Sequence, residues 1–346
     1  MISSKNSVLG IDIGTSNIKI VHLKKKQKYR LINWAAIQTP ENTIENGNIL
    51  DKNKLIKVIK TAVKQNKFKE KKTVTAISNY RVITRYITMP EMPFNELKEA
   101  VKWEARNHIP IYNENMLVDF KIIGKTGYNK LKIVLAGVSR NISLEYLNIL
   151  QGSGLDPVAI DIYPVALNRC FSALNTEDPY CIIDFGASQT KLIIIKNGEI
   201  YADNLIHFGS REIEKSIVEY FGVTQKEVCN YRQKISFLPT LQKNEFREFY
   251  EYIIPLLNDL TAQINRFLNF YSSQNRGERI KQLVLTGGGM NWKGFEDFIT
   301  REVGIPSISD FNLDNFEINF KSLNINKEQL HLLSNAIGLA MRGAVI

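Results

Sequence analysis

Two short segments of this chain carry the same residues at the same spacing. Val8–Val21 reads VLGIDIGTSNIKIV and Tyr180–Ile193 reads YCIIDFGASQTKLI. They share Asp12/Asp184, Gly14/Gly186, Ser16/Ser188 and Lys19/Lys191, each pair 172 residues apart. In each copy an apolar strand ends in Asp, a tight turn follows, and a second apolar strand leaves it. Successive backbone N–H groups in such a turn make a concavity for phosphate oxygens. Glycine lets the main chain approach the anion, and the hydroxyls add donors. Lys19 adds a charge-assisted hydrogen bond of about 1.5–3 kcal/mol. The aspartates tolerate nearby phosphate if Mg²⁺, held through its waters, lies between them. A third segment, Gln282–Thr286, reads as a buried strand running into Gly287-Gly288-Gly289. One Asp-Gly turn is a common hairpin connector. Two copies with a later strand-Gly-Gly-Gly specify a phosphate clamp. The G-x4-GK[ST] pattern is absent, so P-loop mechanics do not apply.

A repeat of this kind predicts a duplicated α/β architecture, each half opening on a hairpin. After the first hairpin, Leu55, Ile59, Ala62 and Val63 share one face of a helix over Asp51–Lys67, and Thr73–Ser78 reads as a strand. From Val82 the pattern changes to a strand, a helix at Phe94–His108, strands at Leu117–Ile123 and Leu131–Ser139, and a helix from Ile142. Met89–Pro93, with its two prolines, reads as the turn before the Phe94 helix. Asp156–Ile162 returns to the parent sheet. The second half continues with a strand at Glu199–Ile206, helices near Arg211–Phe221 and Gln225–Lys234, a long helix over Phe246–Ser273 that Pro255 kinks or breaks, and a closing helix at Leu330–Arg342. The expected divisions are 1–81, an inserted subdomain at 82–153, a return at 154–180, a second domain with a helical nucleotide-binding subdomain at 181–286, and an adenosine loop with closing helix at 287–346.

Composition excludes several classes. No apolar run approaches the ~20 residues of a membrane span, and the N-terminus shows no signal-peptide pattern, which predicts a cytoplasmic chain with no direct membrane insertion. Cys170, Cys181 and Cys229 are too scattered for a disulfide framework or a zinc site. The net charge of +10 lies largely in Lys24–Lys28 and Lys64–Lys72. The first run reads as a hairpin tip and the second as a helix end complementing the macrodipole. No aromatic-interleaved basic platform appears, so nucleic acid is not an expected partner. An acidic partner or an anionic membrane surface fits the charge better.

The triple arrangement resembles the superfamily of actin, the heat-shock ATPases and the sugar kinases. That resemblance implies ATP with Mg²⁺ as the ligand. It assigns Asp12, Gly14, Thr15, Ser16, Asn17 and Lys19 to one phosphate loop, and Asp184, Gly186, Ala187, Ser188, Gln189 and Thr190 to the other. Gly287, Gly288, Gly289 and Met290 would lie against adenosine, with Asp12 and Asp184 serving Mg²⁺ through water. Within the superfamily, AVKWEARNHIPI at Ala100–Ile111 and NAIGLAMR at Asn335–Arg342 resemble the PilM family of type IV pilus assembly proteins. Its members are similar to the division protein FtsA and share the actin-like fold with an inserted subdomain. The resemblance implies a scaffold that binds the N-terminal tail of PilN, an inner-membrane protein, at the inner face of the membrane. Pilus motor ATPases and self-association are further implied contacts.

Two departures bear on activity. Superfamily ATPases often carry Glu or Gln before a Pro in the connecting helix, whereas Asp161-Ile162-Tyr163-Pro164 places Tyr163 there. A tyrosine, with pKa near 10, is a poor base at neutral pH. Ala187 also stands where actin has an acid, so ATPase activity is expected to be weak or absent. The family's Glu-Ala-Glu-x-x-Lys near adenine becomes Glu227-Val228-Cys229-Asn230-Tyr231-Arg232, with Cys229 at the second Glu. Trp103, between Val101 and Ala105, reads most simply as a core anchor; the alternative places Trp103 and Arg106 on the partner groove. An FtsA-like filament protein is the competing function, disfavoured by an end at Ile346 soon after the closing helix. A sugar or acid kinase would need a catalytic carboxylate that Tyr163 does not supply.

Overall fold

The computed structural model describes residues 6–344 except 46, 78–81, 110–112, 175, 233, 238–243 and 310. Ser78, Gln233, and Pro110 and Ile111 of the Ala100–Ile111 segment lie outside the described residues. The first half opens with β1 (Ser7–Ile13), buried along its whole length, antiparallel to β2 (Asn17–Lys25), which pairs with β3 (Tyr29–Gln38). A small hairpin follows, β4 (Ile44–Glu45) and β5 (Asn48–Ile49). Helix α1 (Lys52–Gln65) is capped by the Asp51 carboxylate, which accepts from Lys54 N–H. It buries Leu55, Ile59 and Ala62, the stripe its apolar spacing predicts. Strand β6 (Lys72–Ile77) then lies parallel to β1.

The chain next leaves this sheet. Strands β7 (Ile83–Pro90), β8 (Met116–Lys125) and β9 (Lys130–Ser139) form a separate antiparallel sheet in the order β7–β9–β8, with helix α2 (Phe94–His108) between β7 and β8 in sequence. Leu97, Val101 and Ala105 of α2 pack on one face of that sheet, against Ile87, Met89, Leu131, Ile133 and Leu135. Trp103 is not in this core: it is 67% exposed and its ring stacks on Arg106, 4.7 Å from the guanidinium. The helical period explains the correction, since Val101 and Ala105 already occupy the buried stripe and Trp103 falls between them, facing out.

Helix α3 (Arg140–Gly152), read from sequence as part of the insertion, packs elsewhere. Its Ile142, Tyr146, Ile149 and Leu150 join Leu55, Ile59 and Leu9 in the core on the outer face of the first sheet. Strand β10 (Asp156–Ile162) re-enters parallel to β6, and α4 (Tyr163–Cys170) follows.

The second half repeats the first. Strands β11 (Tyr180–Phe185), β12 (Thr190–Lys196) and β13 (Glu199–Ile206) make an antiparallel meander. Helices α5 (Ser210–Phe221), α6 (Val228–Arg232) and α7 (Asn244–Gln274) come next, then β14 (Gln282–Thr286), parallel to β11. The expected ten-residue helix near Gln225 is thus only the five residues of α6, and α7 runs 31 residues without a break at Pro255. Helix α8 (Phe295–Val303) and β15 (Ser307–Ile308) complete the half. The sheet orders β3-β2-β1-β6-β10 and β13-β12-β11-β14-β15 are the same topology.

The C-terminal segment does not stay with the second half. Strand β16 (Phe316–Glu317) adds to the first sheet beside β3. After α9 (Phe320–Leu323), helix α10 (Lys327–Gly343) packs with α4 between the two sheets, in one core holding Val8, Val74, Ile182 and Ile193. Asn326 and Gln329 form a capping box at its start.

Candidate functional site

The turns after β1 and β11 have the same build. Gly14 N–H donates to Asn17 O at 3.2 Å, and Gly186 N–H to Gln189 O at 3.0 Å. A Cβ on either glycine would lie 2.8 Å from that same carbonyl, so both turns close only around glycine. Strand register then sets Lys19 opposite Asp12 and Lys191 opposite Asp184, with Nζ–Oδ2 distances of 2.9 and 3.4 Å. The turns meet across a cleft, where Thr15 Oγ1 donates to Ser188 Oγ at 3.1 Å and Arg211 Nη2 to Thr15 O at 3.1 Å. From α10, Asn335 Nδ2 donates to Asp12 Oδ1 at 3.0 Å.

Burial alone would push the Asp12 carboxyl up, but Lys19 and Lys191, with hydrogen bonds from Lys19 and Asn335, hold it below the usual range. Burial likewise opposes the Lys19 charge, and Asp12 and Asp184 more than restore it, raising its pKa. Both groups stay ionised near neutral pH, so a buried cation faces the cleft. Gln189 Nε2, in the second turn, and Asn335 Oδ1 are buried without a protein partner. A buried polar atom left unpaired costs about 1–3 kcal/mol, and the Gln189 donor suits an anionic oxygen in the cleft. The residues present therefore fit a phosphate ligand.

Beyond the turns the cavity continues along Glu214, Arg232, Gly287, Gly288, Asn291, His331 and Leu332. Gly287 has φ 98°, and a Cβ there would lie 2.4 Å from Asp184 Oδ1. Arg232 donates from Nη2 to Gly288 O at 3.2 Å, lies 3.5 Å from Glu214, and covers the Trp292 ring at 5.0 Å.

Thirteen of the sixteen residues expected at this site line one cavity. Thr190, Gly289 and Met290 do not. Side chains alternate along a strand, so Gln189 and Lys191 face the cleft while Thr190 turns into the core and donates to Phe208 O. Gly289 sits against the Phe185 ring, and Met290 packs into the second core. Sequence reading missed Glu214 and gave no role to Lys191, Arg232 or Asn335, although the resemblance sets Arg232 at the family's Lys near adenine. Lys191 was visible as the repeat partner of Lys19, and Asn335 heads the NAIGLAMR segment. Cys229 is exposed, and Glu227 accepts from Thr224 N and Oγ1, so neither lines the cavity.

Tyr163 lies beside the second turn, its ring 5.0 Å from Lys191 Nζ. Its hydroxyl donates to Asp203 Oδ2 at 2.8 Å, and Tyr86 donates to Asp203 Oδ1 at 2.6 Å. Burial, then the Asp203 charge, push the Tyr163 phenol well above its ordinary pKa.

A second cavity of about 460 Å³ lies between the three-stranded sheet and the first sheet. It is flanked by two edge strands, β8 (Asp119–Lys121) and β10 (Ile160–Ile162), and floored by Val134, Ala136, Arg169 and Arg342. Asp161 holds both arginines, at 3.1 Å from Arg169 Nη2 and 3.3 Å from Arg342 Nη1. Trp103 and Arg106 do not line this cleft. Val134 and Ala136 alternate with Ile133 and Leu135 along β9, so α2 covers the opposite face of the sheet.

A family model described as type IV pilus assembly protein PilM matches residues 10–344. Among solved structures, the PilM-PilN type IV pilus biogenesis complex is similar with a TM-score of 0.81 at 24% identity, over 97% of this chain and 98% of that chain. The ethanolamine utilization protein EutJ from Carboxydothermus hydrogenoformans has a TM-score of 0.57 at 16% identity, covering 96% and 88%. MreB 5 of Spiroplasma citri bound to AMPPNP has 0.51 at 12% identity, covering 96% and 94%. The fold is that of the actin-like ATPases.

Proposed function

Because this chain belongs to the type IV pilus assembly protein PilM family, we propose that it is a nucleotide-gated scaffold of the pilus assembly machinery. ATP binds between the two hairpin turns, and the cleft between β8 and β10 receives the cytoplasmic N-terminal tail of a PilN-like inner-membrane protein. The observation that supports this most is the facing pair of Asp–Lys hairpins, each closed by an obligatory glycine. Thr15, Ser16, Ala187 and Ser188 offer main-chain and hydroxyl donors to the phosphates, and Lys19 and Lys191 supply charge. Asp12 and Asp184 would hold Mg²⁺ through water, where it neutralises phosphate charge; each carboxylate already pairs with a lysine, which disfavours direct ligation. Arg232, Glu214 and Gly287–Gly288 would receive the nucleoside end. The tail keeps the protein at the inner face of the membrane; among the described residues no helix is long and apolar enough to cross one.

Hydrolysis is expected to be very slow. The group before Pro164 is a phenol with a raised pKa whose proton is committed to Asp203, so it cannot take a proton from water. Single-turnover phosphate release from purified protein is the measurement. Sustained turnover near the ~10 per second of a typical enzyme would show that another base operates.

The partner reading is tested by calorimetry with a peptide from the partner's cytoplasmic tail. A disordered tail gives moderate affinity because it is ordered on binding. Ala136→Phe, which fills the cleft floor, is expected to weaken the peptide at least tenfold, about 1.4 kcal/mol, while ATP binding is kept. Trp103→Ala and Arg106→Glu, behind the sheet, should leave it unchanged. Full affinity in Ala136→Phe would rule the cleft out.

A further inference from the structure

The positive charge of this chain is concentrated at one end of the first sheet. Residues 57–72 contain seven lysines against Glu70, and residues 24–30 contain five cations and no acid. Together they exceed the whole chain's net charge of +10, so the remainder is slightly acidic.

Two observations bring the two segments together. The β1 register aligns Ser7 with Lys24 and Leu9 with Thr73, so Lys72 and Lys24 lie at the same end of the sheet, two strands or roughly 10 Å apart. Asn33 Nδ2, on the β2–β3 hairpin, donates to Asn66 O at the end of α1 at 2.7 Å. Lys57, Lys60 and Lys64 form one exposed stripe on α1, while Lys67 and Lys69 lie beyond its cap, past the last turn where a macrodipole would explain them. These five have no ion-pair partner among the described residues. Among the described residues the acids at this end are Glu70, Asp156, Asp314 and Glu317, too few to balance it.

We infer that this end docks on an anionic phospholipid surface by charge alone. The patch is almost entirely lysine, a compact point charge suited to a diffuse field, where base or paired-phosphate recognition would favour the forked guanidinium of arginine. Its aromatics, Tyr29 and Phe68, are buried, leaving no ring to stack on a nucleic-acid base and none to enter the bilayer. Strand β1 runs from Ser7 at the basic end to Asp12 at the hairpin turn. The nucleotide cleft therefore stays open to solvent when the basic end rests on the headgroups. The contact needs neither nucleotide nor tail peptide, so it stands or falls separately from the function proposed above.

The test is co-sedimentation of the full chain with phosphatidylglycerol–phosphatidylcholine vesicles and with phosphatidylcholine alone. Each lysine near such a surface raises the partition about fivefold. The triple change Lys60→Glu, Lys64→Glu, Lys67→Glu is therefore expected to lower it at least thirtyfold. A hairpin set, Lys24→Glu, Lys26→Glu, Lys28→Glu, should act likewise if the first set folds poorly. The remote set Lys226→Glu, Arg279→Glu, Lys281→Glu removes as much charge and should have a far smaller effect. Raising ionic strength from about 0.01 to 0.15 M, which shortens the Debye length from about 30 to 8 Å, should release the protein. Equal losses in the basic-end and remote sets, or equal binding to neutral vesicles, would overturn the inference. So would tighter binding to a short DNA duplex than to the anionic vesicles.

Discussion

Lys19→Ala is expected to abolish the ATP-induced rise in Tm and to lower the stability of the ligand-free protein by about 3–5 kcal/mol. The second effect follows because Asp12 is left charged and nearly buried, with Asn335 as its remaining hydrogen-bond partner and Lys191 as the one remaining nearby cation that favours its charge. The two effects are separable. In Asp12→Asn/Lys19→Met no buried charge is orphaned, so most of the stability should return while ATP binding stays lost. For comparison, ATP at ~100 times its dissociation constant stabilises the wild type by about 2.7 kcal/mol. The pH dependence has a definite sign. Asp12 has a depressed folded pKa, so its contribution is complete above about pH 4 and is lost as pH falls through the folded value. Lys19 has a raised folded pKa, so its contribution is complete below about pH 10 and is lost as pH rises through the folded value. The stability gap between wild type and the double variant should therefore be flat between those limits. An unchanged ATP shift in Lys19→Ala would remove the phosphate assignment.

The other large effect is predicted far from any ligand. A Cβ on Gly338 of α10 would lie 1.9 Å from Ala166 O of α4, and one on Gly10 of β1 would lie 1.9 Å from Ala336 O of α10. Both collisions are with main chain, so no rotamer change relieves them. Overpacking a core usually costs 1–3 kcal/mol, but here a whole helix must move away from its sheet. Gly338→Ala is expected to cost more than about 4 kcal/mol, in the exceptional range, and to lower Tm by roughly 10 °C at 2–4 °C per kcal/mol. Gly154→Ala is the control: its φ is 80° but the space is open, so only the backbone term of about 1–2 kcal/mol applies. Thermal unfolding measures both. A Gly338→Ala protein within 1 kcal/mol of wild type would show that α10 packs more loosely than its contacts indicate.

What the sequence alone determined about this protein is whatever local spacing encodes. The repeated Asp-x-Gly-x-Ser turns were legible because a two-residue alternation puts Asp and Lys on the cleft face and aliphatics on the core face of each hairpin. Helix α1 was legible because Leu55, Ile59 and Ala62 recur at helical spacing behind an Asp cap. The same alternation, applied one residue further, would have exchanged Thr190 for Lys191. Tertiary structure decided what depends on which surfaces meet. Trp103 faces outward because α2 has one buried stripe and Val101 and Ala105 fill it. Helix α3 leaves the insertion for the first sheet because Tyr146 and Ile149 find their apolar partners on α1. Arg232 and Asn335 reach the same cavity from segments 103 residues apart, a convergence that local spacing along the chain does not encode. The lysines of α1 and of the β2–β3 hairpin are separate runs in sequence. They become a single charged surface only because the strands from which they emerge lie in one sheet.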